Sequence, residues 1–436
     1  MLHRILITLS LLMAALCCEG RCETTLAEKA RLFEADMVER FLLDGQALCK
    51  RQLPGPGRDY VSYNMPDNAY MTGIHTATLS MKYAVTGAPA DREAALASLK
   101  ALHLLCNVSG VPGLPARAAW PKDRPHGDDG VWRDSPDGVH VWRGDVSTDQ
   151  VDGIMFGFCH AFDLVAGEQE RPLIARDVAA IIDRITANGL RIVDSDGTPT
   201  RWGRYDAAHV KRREKMNALL WLQALKVAEH VTGDPKYASL YRQYAVDEGY
   251  ADAAVEARRL LNPAMRGAVN HSDDVLLYLA YVPLLLLEKE PALREKYLKS
   301  IHRSWGGNER FPGVKPEGNP FYAFVMARHC GVPDAHHPGI QSLRLFSPDM
   351  KWNRDTLERH LNTLGLQWVP AQKSPEHVDG QPVPMDRREK TWSAWVQDPY
   401  HSAGERDKDQ LIEYNGHDYL LAYWMGRHYG FISEKD

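Results

Sequence analysis

Apolar residues along this chain recur every three to four positions, and alternating runs of β-branched residues are nearly absent. The spacing predicts helices over Leu26–Leu48, Ala69–Val85, Glu93–Cys106, Thr148–Val165, Leu173–Asn188 and Arg212–Val231. It predicts further helices over Pro235–Glu248, Ala251–Leu261, Asp273–Glu288, Pro291–Trp305, Pro320–His329 and Leu411–Tyr429. Only Leu190–Arg201 reads as a short hairpin, because Ser195-Asp196-Gly197 is a strong turn signal. The expected fold class is all-α.

The connections between these helices fall into two kinds. Tyr83–Leu96 and Glu229–Ala245 share an apolar helix end, a Thr-Gly pair, a proline and a new helix. Gly87 and Gly233 suit a left-handed cap there, and the proline suits a first helical turn. Leu164–Val178 and Leu286–Ile301 are looser versions, and such turns recur at roughly 60–80 residues, as in repeated hairpins. The other connections are long and rich in polar, glycine and aromatic residues, above all Asn107–Ser147, and a loop of that length in a compact fold is usually functional. Short turns on one rim and elaborate loops on the other imply a funnel.

At the start, a short apolar run from Ile5 to Cys18 ends abruptly at Glu19-Gly20-Arg21-Cys22. That order matches a secretory signal over residues 1–22, and the run is shorter than the ~20 residues of a membrane-spanning helix. A lipid anchor on Cys17 or Cys18 is the weaker alternative. Residues 23–436 are then expected to form a single domain, secreted or periplasmic. No stable membrane span is expected; the longest later candidate, Val275–Leu287, reads as a buried helix. The net charge of −5 provides no basic field for nucleic acid. Cys49, Cys106, Cys159 and Cys330 lack metal-ligand spacing, so no zinc site, no other metal or cofactor, and no essential disulfide is expected.

In its succession of about twelve helices and its Thr-Gly-Asp-Pro turns, the mature chain resembles the six-hairpin glycosidase superfamily. The resemblance is at superfamily level, without a matched catalytic signature. It implies an (α/α)6 toroid whose site lies in the wide mouth, at the N-terminal ends of inner helices, acting on poly- or oligosaccharides. Most catalytic members are glycoside hydrolases or polysaccharide lyases.

Gly144–Gly153 is the richest constellation. Ser147 or Thr148 suits an N-cap, and Asp145, Asp149 and Asp152 fall at helical intervals with Gln150 among them. Glycoside hydrolysis needs one protonated and one ionised carboxyl, and close acids push one pKa upward. Acids also cap helices through the macrodipole, and the same oxygens could bind calcium. Asn270–Asp274 repeats the pattern before another apolar helix, so Asp273 or Asp274 is a candidate opposing carboxylate and His271 a proton carrier or sugar ligand. In the last segment, Tyr414 and His417 precede an aromatic-rich helix whose rings read more readily as core.

Sugar faces stack on indole rings, and amides, acids and guanidinium groups satisfy hydroxyls. Trp120, Trp132, Trp142 and Trp202 lie in the expected mouth loops, with Asn68, Arg117, Arg201 and Asn319 at comparable junctions. Arg117 and Arg201 would pair with a uronate or sulfate. The chain has no GxSxG elbow, P-loop, HExxH or dinucleotide glycine pattern.

The reading is therefore an exported glycoside hydrolase whose catalytic candidates are Asp149, Asp152, Asp273, Asp274 and His271. Its substrate-binding candidates are Asn68, Arg117, Trp142, Asp145, Gln150, Arg201, Trp202, Asn319, Tyr414 and His417. The alternatives are a lyase using His271 or Tyr414 as base, a glycan-binding protein without catalysis, and a sugar epimerase or isomerase, which export disfavours.

Overall fold

The computed structural model describes residues 24–259, 261–262, 268–307, 313–347 and 412–436, with the single positions 382, 385 and 399. The segment 1–22, read as an export signal, lies outside them. Helix α1 (Leu26–Asp36) begins at a reciprocal cap between Thr25 and Glu28. There follow α2 (Asn68–Thr86), α3 (Pro89–Asn107), α4 (Thr148–Leu164) and α5 (Glu170–Ala187). The short α6 (Ala207–Arg212) leads into α7 (Met216–Thr232), α8 (Pro235–Arg242) and α9 (Tyr250–Val255). Last come α10 (Ser272–Leu287), α11 (Pro291–Gly306), α12 (Pro320–His329), α13 (His336–Leu345) and α14 (His417–His428).

Six of these close a ring: α2 packs on α4, α4 on α7, α7 on α10, α10 on α12, α12 on α14, and α14 returns to α2. Outside them lie α3 against α2, α5 against α4 and α7, α8 and α9 against α7, α11 against α10, α13 against α12, and α1 against α14. This is an (α/α)6 toroid. The two layers differ in the way burial requires: α4, α7 and α10 are buried on nearly every side, while α5 and α11 bury one stripe. The backbone N–H of Leu26 donates to the carbonyl of Asp436 (2.9 Å), joining the two ends of the described chain.

Glycine brings the first two inner helices together. A Cβ on Gly73 would lie 1.9 Å from the carbonyl oxygen of Gly153, and one on Gly157 would lie 2.7 Å from the Cα of Gly73. Across the ring, Phe156 of α4 meets Phe321 of α12 (6.5 Å), and between the neighbouring helices α10 and α12 Tyr278 stacks on Tyr322 (4.1 Å). These rings are all buried.

The short turns behave as expected: Gly87 and Gly233 take the left-handed conformation (φ 62° and 64°), and Pro89 and Pro235 open the following helices. They join the C-terminal ends of inner helices to outer ones. All the long connections therefore gather at the other rim, where the inner helices begin. Several are tied down as small antiparallel sheets. β1 (Leu42–Leu43) pairs with β2 (Gln46–Ala47), and β3 (Lys50–Gln52) stands between β4 (Ser62–Asn64) and the late strand Ile412–Tyr414. β5 (Ala118–Pro121), β6 (Trp132–Asp134) and β7 (His140–Arg143) form a second three-stranded sheet, ordered β5-β7-β6. β8 (Arg191–Val193) pairs with β9 (Pro199–Arg204), the hairpin that the turn signal predicts. β10 (Leu261–Asn262) pairs with β11 (Ala268–Val269), and Ile412–Tyr414 is β12.

Several boundaries differ from the sequence reading. Leu26–Leu48 is not one helix, because Asp44 and Gly45 both take positive φ (49° and 85°) and turn β1 into β2. Ala251–Leu261 stops at Val255, and β12 precedes α14 where one continuous helix is expected. Helix α13 is an addition that the periodicity does not reveal. Cys49, Cys106, Cys159 and Cys330 are buried free thiols. Among the described residues no helix is long and apolar enough to cross a membrane.

Candidate functional site

The N-terminal ends of the inner helices meet at the loop-rich rim. At α4, the backbone N–H of Ser147 donates to Oε1 of Gln150 (2.8 Å), the cap that the sequence signals. The other end of the same amide reaches the neighbouring helix, where Nε2 of Gln150 donates to Oδ1 of Asp67 (3.2 Å), the residue preceding α2. Asp67 also faces Arg117 at 3.7 Å, so it has a donor and a counter-charge. Both Asp67 and Asp149 are partly exposed, at the starts of neighbouring inner helices.

Asp149 lies in a different environment. Burial and the nearby Asp67 carboxyl push its pKa up, opposed by Arg117 and Thr148. One turn deeper, Asp152 is 1% exposed, and neither carboxyl oxygen has a hydrogen-bond partner. Burial, with Asp149 adding to it, pushes Asp152 well above the usual carboxyl range, opposed only by the nearby Gln223 amide, whose Nε2 donates to the Asp152 backbone carbonyl (3.3 Å). A buried carboxyl without partners survives by keeping its proton.

Two tyrosines link this acidic side to the opposite one. Burial raises the Tyr70 phenol, and Asp152, Asp149 and Asp67 push the same way. Burial likewise raises Tyr322, with Asp274, Glu317 and Tyr70 adding to it. Tyr70 belongs to α2 and Tyr322 to α12, which are not neighbours in the ring; each phenol feels the acids on its own side, and Tyr322 also feels Tyr70.

On that far side Arg259 organises the charges. Its Nη1 lies 3.0 Å from Asp274 and 2.7 Å from Glu317, and it approaches Nδ1 of His271 at 2.8 Å. Burial pushes Asp274 up to about 7 despite the pull of Arg259. Ligand atoms of His271, Asp274 and Glu317 come within 4.8 Å of one another, but a cation held there would have to displace the guanidinium. Asp273 accepts from Nδ2 of Asn270 (2.6 Å).

The remaining candidates are distributed between mouth, scaffold and rim. Asn68 is buried, and its Oδ1 accepts from the backbone of Cys49 (3.0 Å). Arg117 directs Nε to the carbonyl of Asp145 and Nη1 to that of Pro66 (3.0 Å). Trp142 is 1% exposed, so it is core and offers no stacking face. Asn319 caps α12 by accepting from Phe321 (2.9 Å). Tyr414 is buried and its phenol is raised, by burial first. His417 packs on His75 (ring centroids 4.9 Å apart), and burial keeps both imidazoles neutral. Asp145 has φ 54°, a left-handed conformation uncommon for aspartate. Arg201 and Trp202 stand on the exposed rim of β9.

Sequence reasoning missed Asp67, Tyr70, Arg259, Glu317 and Tyr322. Asp67 had a signal, since it stands between Pro66 and the start of α2; the others acquire their place only through ring closure.

No family model matches the chain, and neither does any curated protein sequence. Among solved structures, an endoglucanase from the termite Nasutitermes takasagoensis aligns with a TM-score of 0.47 and 14% identity, over 94% of this chain and 98% of that one. A family 88 glycosyl hydrolase from Bacteroides vulgatus aligns with a TM-score of 0.43 and 12% identity, over 93% and 99% of the two chains. A sugar epimerase from a ruminal bacterium gives 0.42 and 10%, over 92% and 97%.

Proposed function

We propose that this chain is a carbohydrate-active enzyme that hydrolyses a glycosidic bond, with Asp149 donating the proton to the leaving oxygen and Asp67 acting as the ionised carboxyl. The observation that carries this reading is the unequal treatment of two accessible acids at adjacent helix starts. Asp149 is raised by burial and by Asp67, while Asp67 receives the Gln150 amide and faces Arg117. A carboxyl raised in this way can supply the acid, and a second carboxyl at the adjacent helix start can supply the base or nucleophile.

Asp67 is preferred here to Asp273 or Asp274 as the second carboxyl. Asp274 is committed to Arg259, and Asp273 accepts from Asn270. Elimination by a lyase finds less support, because the buried Tyr414 phenol holds its proton firmly and Nδ1 of His271, the other candidate base, faces the Arg259 guanidinium at 2.8 Å.

The test is turnover on a panel of oligosaccharides, read as new reducing ends. Asp67→Asn and Asp149→Asn should each lower kcat by about 100-fold or more, the usual worth of a general acid or base, with the helical circular dichroism intact. Full turnover in either variant ends the proposal.

A further inference from the structure

Strands β6 to β9 carry five arginines at the rim, and four of them have acidic partners. Arg133 pairs with Asp194 (3.1 Å), Arg143 with Asp128 (2.9 Å), Arg191 with Asp206 (3.5 Å) and Arg204 with Asp206 (3.1 Å). Arg201 is the exception. Among the described residues its guanidinium makes no ion pair, and it lies over the indole of Trp202, 4.8 Å from the ring centroid. Trp202 is 52% exposed, the only exposed tryptophan among the described residues. An exposed indole beside such a guanidinium is well suited to a ring that carries an anion.

The pair is also held in register with the proposed reacting centre. The backbone N–H of Arg201 donates to Oδ1 of Asp145 (3.0 Å), and Asp145, on the turn into α4, donates its own N–H to Asp194 (3.0 Å) after β8. Within the mouth an anionic sugar would meet Asp67 and Asp149, while Arg117 has Nε and Nη1 engaged by backbone carbonyls. Favourable charge for such a group therefore lies at the rim.

We propose that Arg201 and Trp202 form an outer subsite for an anionic sugar unit, a uronate or a sulfated residue, of the saccharide whose bond is cleaved beside Asp149. This rests on the hydrolytic reading above. Trp202 supplies the stacking face, and Arg201 supplies a two-pronged donor for carboxylate or sulfate. Bond cleavage takes place on a neighbouring unit, away from the bound anion.

The test is calorimetric binding to the Asp149→Asn protein, where cleavage does not interfere. The probes are tetragalacturonate, a chondroitin sulfate tetrasaccharide and neutral cellotetraose, at low and high salt. At least one acidic probe should bind about tenfold more tightly than cellotetraose, with the preference shrinking in salt. Adding Arg201→Gln should abolish the preference, and adding Trp202→Ala should weaken the favoured probe by about tenfold. Which acidic probe is favoured separates carboxylate from sulfate recognition. Equal binding of acidic and neutral probes, no binding of either acidic probe, or a preference that survives Arg201→Gln would each overturn the subsite. Failure of the hydrolytic reading appears separately, as turnover undiminished by Asp149→Asn alone.

Discussion

At the scale of single residues, Asp149 and Asp152 show how position decides protonation. They share one helix and one chemistry, yet Asp149 is partly exposed while Asp152 is sealed with both oxygens unpartnered. The buried acid has a consequence for stability. Below the ordinary carboxyl range both folded and unfolded chains hold the Asp152 proton, so it adds no pH dependence. As pH rises through 3.8 the unfolded chain releases the proton and the folded chain keeps it, so stability falls until the folded carboxyl also ionises. Asp152→Asn removes that dependence. It should raise Tm at about pH 7 and leave it unchanged near pH 3, as measured by calorimetry. An equal change at both pH values would mean that Asp152 is not held neutral. The density of acids in Gly144–Gly153 makes this stretch visible in the sequence, but the difference between its members depends on burial that only packing creates.

At the scale of elements, Asp145 joins three pieces of chain. Its N–H donates to Asp194, its carbonyl accepts from Arg117, and its carboxylate accepts from the backbone of Arg201. These bonds hold it at φ 54°, a conformation that asparagine tolerates and alanine does not. Asp145→Ala should therefore cost about 1–3 kcal/mol in denaturant unfolding and disturb the start of α4, whereas Asp145→Asn should retain most of the stability. Equal losses in the two variants would contradict the backbone argument. Helix starts and glycine caps were legible because their signals are local: Ser147 with Gln150, Gly87 and Gly233. The Asp44-Gly45 hairpin was missed because the apolar residues around it keep helical spacing, although Asp-Gly is itself a turn signal. Helix α13 was hidden by its short length and by Pro338 in its first turn.

At the scale of the whole molecule, the ring makes distant stretches of sequence into neighbours. Nothing in the local pattern around Tyr70 or Tyr322 shows that they lie between two acidic groups, since α2 and α12 approach only when α14 closes the circle. The asymmetry of loop lengths made the mouth legible; the identity of its second accessible acid, Asp67, was not. The central claim is that Asp67 and Asp149 share that mouth closely enough for the Asp67 charge to raise the Asp149 carboxyl. It can be tested by following the Asp149 carboxyl carbon by NMR titration in the unmodified protein and in Asp67→Asn. The account predicts a midpoint above 3.8 in the first and a clearly lower one in the second, because burial and the Asp67 charge both push Asp149 upward. A midpoint at or below 3.8 in the unmodified protein, or one that ignores the loss of Asp67, would contradict it.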